Sequence, residues 1–600
     1  MRKTAFALAA LLALLPLAVP AAKASMLVPA VITDGEGEMV RAEVKIEPGT
    51  GNIYISTEPL VGMDTQFSER TAVRVAAERL GRDARKYDVF LTLRVNDTKE
   101  VDGPSAGAAM TLLAIAALNG TEVRNDVTIT GTIMEDGRIG SVGGVSKKAE
   151  AAARSGLSIL MVPRETDAFE KIMLAALRRR LNISIVEVGT IEEAEAIAFS
   201  PAGSEPPAVA PSGPAPLADI VPARYDCEGC GLEEFGAIAK EFVADSKRLV
   251  DSIPANDSNY AEILPILRKD AADSELLEKR GYHYTAANTA FLNRINALLL
   301  LNSSMNRRDL ALFIDSAEGC VSSLDRGELT DENIDWRTGA DLRATWAEKK
   351  LDEVRGRELK ITGSEDMLFT YREALFAWSW CEAADRMYAV SRKRGGNAKD
   401  EGVLRGLASL KISEARRVLD EWPERDSDAE WHLGAAELAY NRSRYAAAIY
   451  DADYVLGAIS AKNVSGSGLK QRAEEYAGRR GGTLWSALFY AHAGYYKEVD
   501  ASPMIVVRLG SIAERLEEDS GRMAELLENP EAAPIPVEIS QPLPAVREDV
   551  EKLNESLVVL VVLLSVLLIT SAVLNIIVFT RMKRKLSETS REVARRERAK

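Results

Sequence analysis

Histidine is nearly missing from this 600-residue chain: His283, His432 and His492 are the only three. None lies in the N-terminal third, which excludes a Ser-His-Asp triad there. Cysteine is scarce as well, with Cys227, Cys230, Cys320 and Cys381 alone. The Cys227-Glu-Gly-Cys230 pair has no second CxxC to complete a zinc knuckle. The even count suits disulfides in an exported protein, with free thiols and a metal site as the alternatives. Neither a metal nor another cofactor is expected. No GxxxxGK[ST] loop occurs, and the glycine-rich stretch 137–148 has the wrong spacing for one, so an ATP-binding module is not expected. Basic charge is also in deficit, the formal net charge being −15. Three basic residues fall in 1–24, and nine against three acidic ones in 581–600, leaving about −24 between them. Such an acidic body repels phosphate backbones, and no nucleic-acid partner is expected.

Long apolar runs are confined to the two ends. Arg2 and Lys3 precede an apolar stretch over 5–19, and Ala22-Lys23-Ala24 supplies small residues for cleavage before Ser25, the layout of a signal peptide over 1–24. Residues 557–580 hold an almost unbroken apolar run, long enough to cross about 30 Å of hydrocarbon as a helix. Arg581, Lys583, Arg584 and Lys585 follow it, which assigns the tail 581–600 to the cytoplasm and the bulk of the chain to the outside of a cell membrane crossed once. Asn-x-Ser/Thr sequons begin at Asn96, Asn119, Asn182, Asn256, Asn302, Asn441, Asn463 and Asn554, in weak accord with export.

Between these ends the hydrophobic period changes once. Short β-branched runs at 27–32, 40–46, 53–56, 89–95, 127–133 and 159–162 alternate with helical patterns at 71–80, 106–118, 146–155 and 167–180. This predicts an α/β domain over 25–200. A linker rich in proline and alanine over 201–224 follows. Residues 225–527 carry helical spacing throughout, clearest at 374–390, 429–456 and 483–496, and predict an all-α domain. The pair 431–440 and 445–454 hints at a tetratricopeptide-like helix pair, but no 34-residue period repeats, and a plain bundle fits as well. A proline-spaced stalk over 528–556 leads into the apolar run.

The chemistry gathers in Asp102-Gly103-Pro104-Ser105-Ala106-Gly107, placed between a strand and a helix. A serine at a helix N-terminus sits beside unpaired N–H groups that can stabilise an oxyanion, although such a serine more often only caps its helix. With no histidine nearby, the base must be a carboxylate or a lysine whose pKa burial depresses.

The segment resembles the nucleophile motif Gly-Pro-Ser-Ala-Gly of Lon-type serine peptidases. Thr130-Gly131-Thr132 and Gly143-Gly144-Val145-Ser146-Lys147-Lys148 follow in the family's order, with 43 residues from Ser105 to Lys148. The resemblance implies Ser105 as nucleophile, Lys148 as general base and Thr130 as the hydroxyl that holds the lysine amine. Asp102 would shape the serine's backbone, and backbone N–H groups around Gly103 to Ser105, Pro104 itself having none, mark the oxyanion site. Thr132 stands where the family has Glu, and Ser146-Lys147 where it has Lys-Glu. The expectation is a membrane-anchored, ATP-independent serine endopeptidase acting on unfolded or exposed protein and peptide segments. Its proteolytic domain would resemble one that assembles into a homo-oligomeric ring. The alternative is an inactive peptidase fold serving as scaffold for a helical ectodomain that binds surface proteins.

Overall fold

The computed structural model describes residues 22–31, 36–58, 63–94, 104–165, 167–207, 222–225, 232–255, 260–361, 363–423, 425–499 and 501–539. Most of the expected signal, Asp102, Gly103, Cys227, Cys230, most of the linker and stalk, the apolar run 557–580 and the basic tail lie outside them. Among the described residues no helix is long and apolar enough to cross a membrane. The described chain up to Pro534 belongs to one compact unit.

An α/β domain comes first. Strands β1 (Ala22–Val31), β2 (Gly37–Pro48), β3 (Ile53–Glu58) and β4 (Tyr87–Arg94) form a sheet ordered β1-β2-β4-β3, in which only the β3/β4 pairing is parallel. Alternate residues point one way: Met26, Val28, Val40, Ala42, Val44, Val89 and Leu91 are all buried. This is the period-two pattern of a sheet with one covered face. The cover is helix α2 (Gly107–Asn119), whose residues from Gly107 to Leu118 are buried on every side. A helix apolar all round can only sit at the centre of a domain. Helix α1 (Met63–Arg79) lies against it. The observed α1 starts eight residues before the expected 71–80, because polar residues over 63–70 hide the helical period, and Ser68 and Glu69 occupy its buried face.

A second sheet is parallel, ordered β5 (Val127–Ile129), β8 (Ile159–Pro163), β9 (Ser184–Val188). Strand β8 is buried along its whole length. Ile159 and Met161 join the core around α2, whereas Leu160 and Val162 meet α3 (Val145–Arg154) and α4 (Ala168–Arg180). The expected strand 127–133 is broken at Thr130-Gly131, with a short antiparallel pair of β6 (Thr132–Ile133) and β7 (Ile139–Gly140) beyond. The break arises because the backbone of Gly131 is bonded elsewhere, as described below. Helix α5 (Ile191–Ala198) closes the domain. The expected signal boundary falls inside β1, where Ala22, Lys23 and Ala24 already pair with Ile46, Lys45 and Val44.

The region from Glu233 to Glu528 is helical throughout: α6 (Glu233–Asp251), α7 (Leu264–Lys279), α8 (His283–Leu301), α9 (Arg307–Ser322), α10 (Ile334–Glu358), α11 (Ser364–Ser391), α12 (Arg405–Glu421), α13 (Ser427–Asn441), α14 (Tyr445–Lys462), α15 (Ser467–Gly478), α16 (Leu484–Glu498) and α17 (Pro503–Glu528). The stretch 429–456 forms the helix pair α13 and α14, as the segments 431–440 and 445–454 suggest, joined by a tight turn in which Ser443 takes φ 56°. Cys320 of α9 and Cys381 of α11 form a disulfide, with Cα atoms 6.3 Å apart. The helical region docks on α4: Ala168, Phe169, Ile172 and Ala176 share one core with Leu264, Ile295, Leu351, Leu368 and Tyr371.

Candidate active site

Ser105 lies in a single 3-10 turn, Pro104–Ala106, that runs straight into α2. The turn is laced to the broken strand. Gly131 N–H donates to the Ser105 carbonyl at 2.9 Å and Ala108 N–H donates to the Gly131 carbonyl at 3.0 Å. These bonds consume the backbone groups that a continuous β5–β6 strand would need, which explains its interruption. Close approach requires glycine at two points: a Cβ on Gly107 would lie 2.4 Å from Ser68 Oγ, and one on Gly131 would lie 2.4 Å from Ile139 Cγ2.

The structure decides against the capping role for the serine. The residue at the N-cap of α2 is Ala106, and no side chain caps the helix. Ser105 is half-buried, and its hydroxyl makes no hydrogen bond among the described residues. It therefore stands beside a helix N-terminus that it does not satisfy.

Lys148 is on the second turn of α3 and only 4 % exposed. Burial alone pulls its amine down to about 8 from 10.5, since a low-dielectric surrounding penalises the ammonium form. No carboxylate forms an ion pair with it among the described residues, so nothing there reverses that effect. Lys147, by contrast, points outward and meets Glu36 at 3.6 Å and Glu150 at 4.0 Å. Adjacent helical residues face different ways, and only one of the two lysines is desolvated. The entry to α3 is set by Gly144, at φ 69°, a left-handed conformation in which a Cβ would lie 2.6 Å from Val31 Cγ2.

Thr130 is fully buried. Its N–H donates to Met161 O of β8 at 3.0 Å. Its hydroxyl reaches the Ser105 carbonyl at 3.5 Å and not the Lys148 amine, so the bond expected from the resemblance is not formed in this structure. No hydrogen bond joins Ser105 Oγ to Lys148 Nζ among the described residues either. Catalytic hydrogen bonds are often long without substrate and shorten only when it binds.

One residue near the turn escaped the sequence reading. Glu69 of α1 follows Ser68, whose hydroxyl abuts Gly107, and is 1 % exposed. Neither carboxylate oxygen has a hydrogen-bond partner among the described residues, and burial raises its pKa to about 7. A glutamate in a helix reads as a surface residue. The one available signal was its place three residues before Ala72 on the inner face. All three histidines lie in the helical region, His432 beside Asp451 at 2.8 Å and His492 beside Thr285 at 2.8 Å, away from Ser105 in the fold. Among the described residues no group of histidine, cysteine or carboxylate side chains could hold a metal ion.

Comparison with known proteins follows this geometry. Residues 25–199 match the Lon protease (S16) C-terminal proteolytic domain, and this domain is present in the chain. The chain is 34 % identical over 137 residues to Lon protease of Xanthomonas oryzae pv. oryzae, covering 22 % of this chain and 16 % of that protein. It is 33 % identical over 161 residues to Lon protease 1 of Myxococcus xanthus, covering 26 % and 19 %. Against Lon protease of Escherichia coli strain K12 it is 33 % identical over 137 residues, covering 22 % and 17 %. The chain thus spans less than a fifth of the length of these relatives.

Proposed function

We propose that the chain is a serine endopeptidase in which Ser105 is the nucleophile and Lys148 the general base. The observation that carries this reading is the buried amine of Lys148, free of any carboxylate partner among the described residues and with its pKa lowered to about 8. An unpaired lysine is kept in a dry interior at a cost, and a neutral amine is what a lysine base requires. The uncapped start of α2 beside an unengaged serine hydroxyl supports the second half of the pair.

In this mechanism Lys148 Nζ takes the Ser105 hydroxyl proton as Oγ attacks the substrate carbonyl carbon. The peptide C–N bond then breaks, and the lysine returns the proton to the leaving amine. Water, deprotonated by the same amine, attacks the acyl-serine carbonyl; the C–Oγ bond breaks, the lysine returns the proton to Ser105 Oγ, and the second product leaves as the acid. Backbone N–H groups around the turn from Gly103 to Ser105 would hold the oxyanion. Thr130, whose hydroxyl donates to the Ser105 carbonyl at 3.5 Å, ties the broken strand to the turn.

The finer reading places this peptidase outside a cell membrane, anchored by residues 557–580, cleaving exposed or unfolded segments without ATP. The sequence supports this through its two terminal apolar runs and its lack of a phosphate loop. A second reading, an inactive scaffold, draws on the unmade hydrogen bond between Ser105 and Lys148. A fluorophosphonate probe separates the two. Labelling of the wild type that disappears in Ser105→Ala and in Lys148→Met supports the enzyme; equal labelling of all three leaves only the scaffold.

A further inference from the structure

The helical region holds a partly open cavity of about 680 Å³ to which the α/β domain contributes no residue among those described. This volume is in the usual range of small-molecule sites, which combine apolar walls with a few placed polar groups. Its walls are aromatic, among them Tyr284, Phe291, Trp346, Phe376, Trp380 and Trp431.

Three cations, Arg343, Lys350 and Arg372, share the lining with three carboxylates, Glu373, Asp428 and Asp451. Each lining carboxylate is already engaged: Glu373 by Lys350 at 2.6 Å, Asp428 by the Tyr454 hydroxyl at 2.7 Å, and Asp451 by Trp346 Nε1 at 3.0 Å and His432 Nδ1 at 2.8 Å. Arg343 is not. It is 7 % exposed, makes one hydrogen bond, from Nη1 to the Gly339 carbonyl at 3.3 Å, and no ion pair among the described residues. A guanidinium carries five N–H donors, of which Arg343 uses one; Asp451 attracts it without a direct bond, so its other donors stay open to an anionic ligand. Its plane is held between two indoles, the Trp346 centroid 5.0 Å and the Trp485 centroid 4.4 Å from Cζ. Such stacking fixes the direction of the remaining donors and suits a planar anion.

We propose that this cavity is a binding site for a monoanionic carboxylate on an aromatic or similarly apolar body, with Arg343 as its counter-ion. The body would rest among the indole and phenyl rings. A dianion is disfavoured, because Glu373, Asp428 and Asp451 already match the three cations of the lining in number. Both a free carboxylic acid and the C-terminal residue of a peptide offer this chemistry.

Isothermal titration calorimetry on the purified full chain tests the site, using N-acetyl-phenylalanine against its neutral amide, N-acetyl-phenylalaninamide. The acid is expected to bind with quenching of tryptophan fluorescence, and the amide about tenfold or more weakly, as loss of a charge-assisted hydrogen bond dictates. Comparing the two ligands leaves the protein unaltered, so the result does not depend on a variant that folds. Arg343→Gln should weaken the acid to the level of the amide. A peptide ending in Ser-Gly-Phe, run on Ser105→Ala to prevent cleavage, distinguishes the sources: tighter binding than the free acid identifies a chain terminus, and weaker binding a small acid. Equal affinity for acid and amide, or no binding of acid or peptide, overturns the proposal. Tighter binding of phenyl phosphate than of the acid overturns its preference for a single charge.

Discussion

At Lys148 a single physical effect, desolvation, sets both the chemistry and its pH dependence. With the amine at about 8, roughly a tenth is neutral at pH 7. The proposed kcat/KM should therefore rise about tenfold per pH unit below about 8 and level off above it. A profile flat from pH 6 to 9, measured on a fluorogenic peptide, would remove Lys148 as the base. Glu69 responds in the opposite sense. Its folded-state pKa is raised to about 7 from 4.5, so the folded form holds the proton more tightly than the unfolded form. Stability contributed by this site is greatest below pH 4.5 and is lost as pH rises through 7. Glu69→Gln, which keeps the shape without the charge, should raise stability by about 2 kcal/mol at pH 8 and change little at pH 4. Urea denaturation at both values checks this, and an unchanged midpoint at pH 8 contradicts it.

Helix α3 carries the lysine, and its backbone comes into close contact with β2. A Cβ on Gly37, the first residue of β2, would lie 2.0 Å from the Lys147 carbonyl, while Arg154 Nη2 donates to the Gly37 carbonyl at 2.8 Å. Gly37→Ala should push α3 off β2, costing about 2 kcal/mol or more of stability and most of any activity. Gly143→Ala, facing open space, should change neither. Retained turnover in Gly37→Ala would mean that α3 tolerates displacement. How far the sequence could be read follows the same division. The alternating strands β2 and β4 and the all-apolar helix α2 were legible because their periods mirror burial directly. Helix α1 was legible only in its second half, since Ser68 and Glu69 put polar atoms on its inner face. The break at Thr130-Gly131 was not legible, because it comes from hydrogen bonds to a turn distant in sequence. Ser105 and Lys148 were legible as motif residues, but the direction of the Thr130 hydroxyl was not. Asp102 and Gly103 lie outside the described residues, so their expected parts have no counterpart here.

Across the whole molecule, one helix belongs to two cores. The inner face of α4, with Leu174 and Leu177, packs with Leu160, Val162 and Ala149 of the α/β domain. Its outer face, with Ala168, Phe169, Ile172 and Ala176, packs into the helical region. The Phe169 ring lies 3.9 Å from the Arg372 guanidinium, and Arg180 at the helix end pairs with Glu150 of α3 at 2.7 Å and Glu365 of α11 at 2.9 Å. The proline-rich stretch over 201–224 suggests two separable domains, yet an α/β domain released from its neighbour would expose four apolar side chains of α4 to water. Folding of the two regions should accordingly be coupled, and the full chain should melt in a single calorimetric transition. Phe169→Ala removes a ring shared by the joint core, at a cost of about 3–5 kcal/mol. If α4 is the coupling element, that loss should fall on the interface and split the melt into two transitions, with the α/β domain unfolding first because its own core retains only the inner face of α4. A wild-type melt that is already biphasic, or a variant that melts lower but still in one step, would show that cohesion resides in contacts other than those of α4.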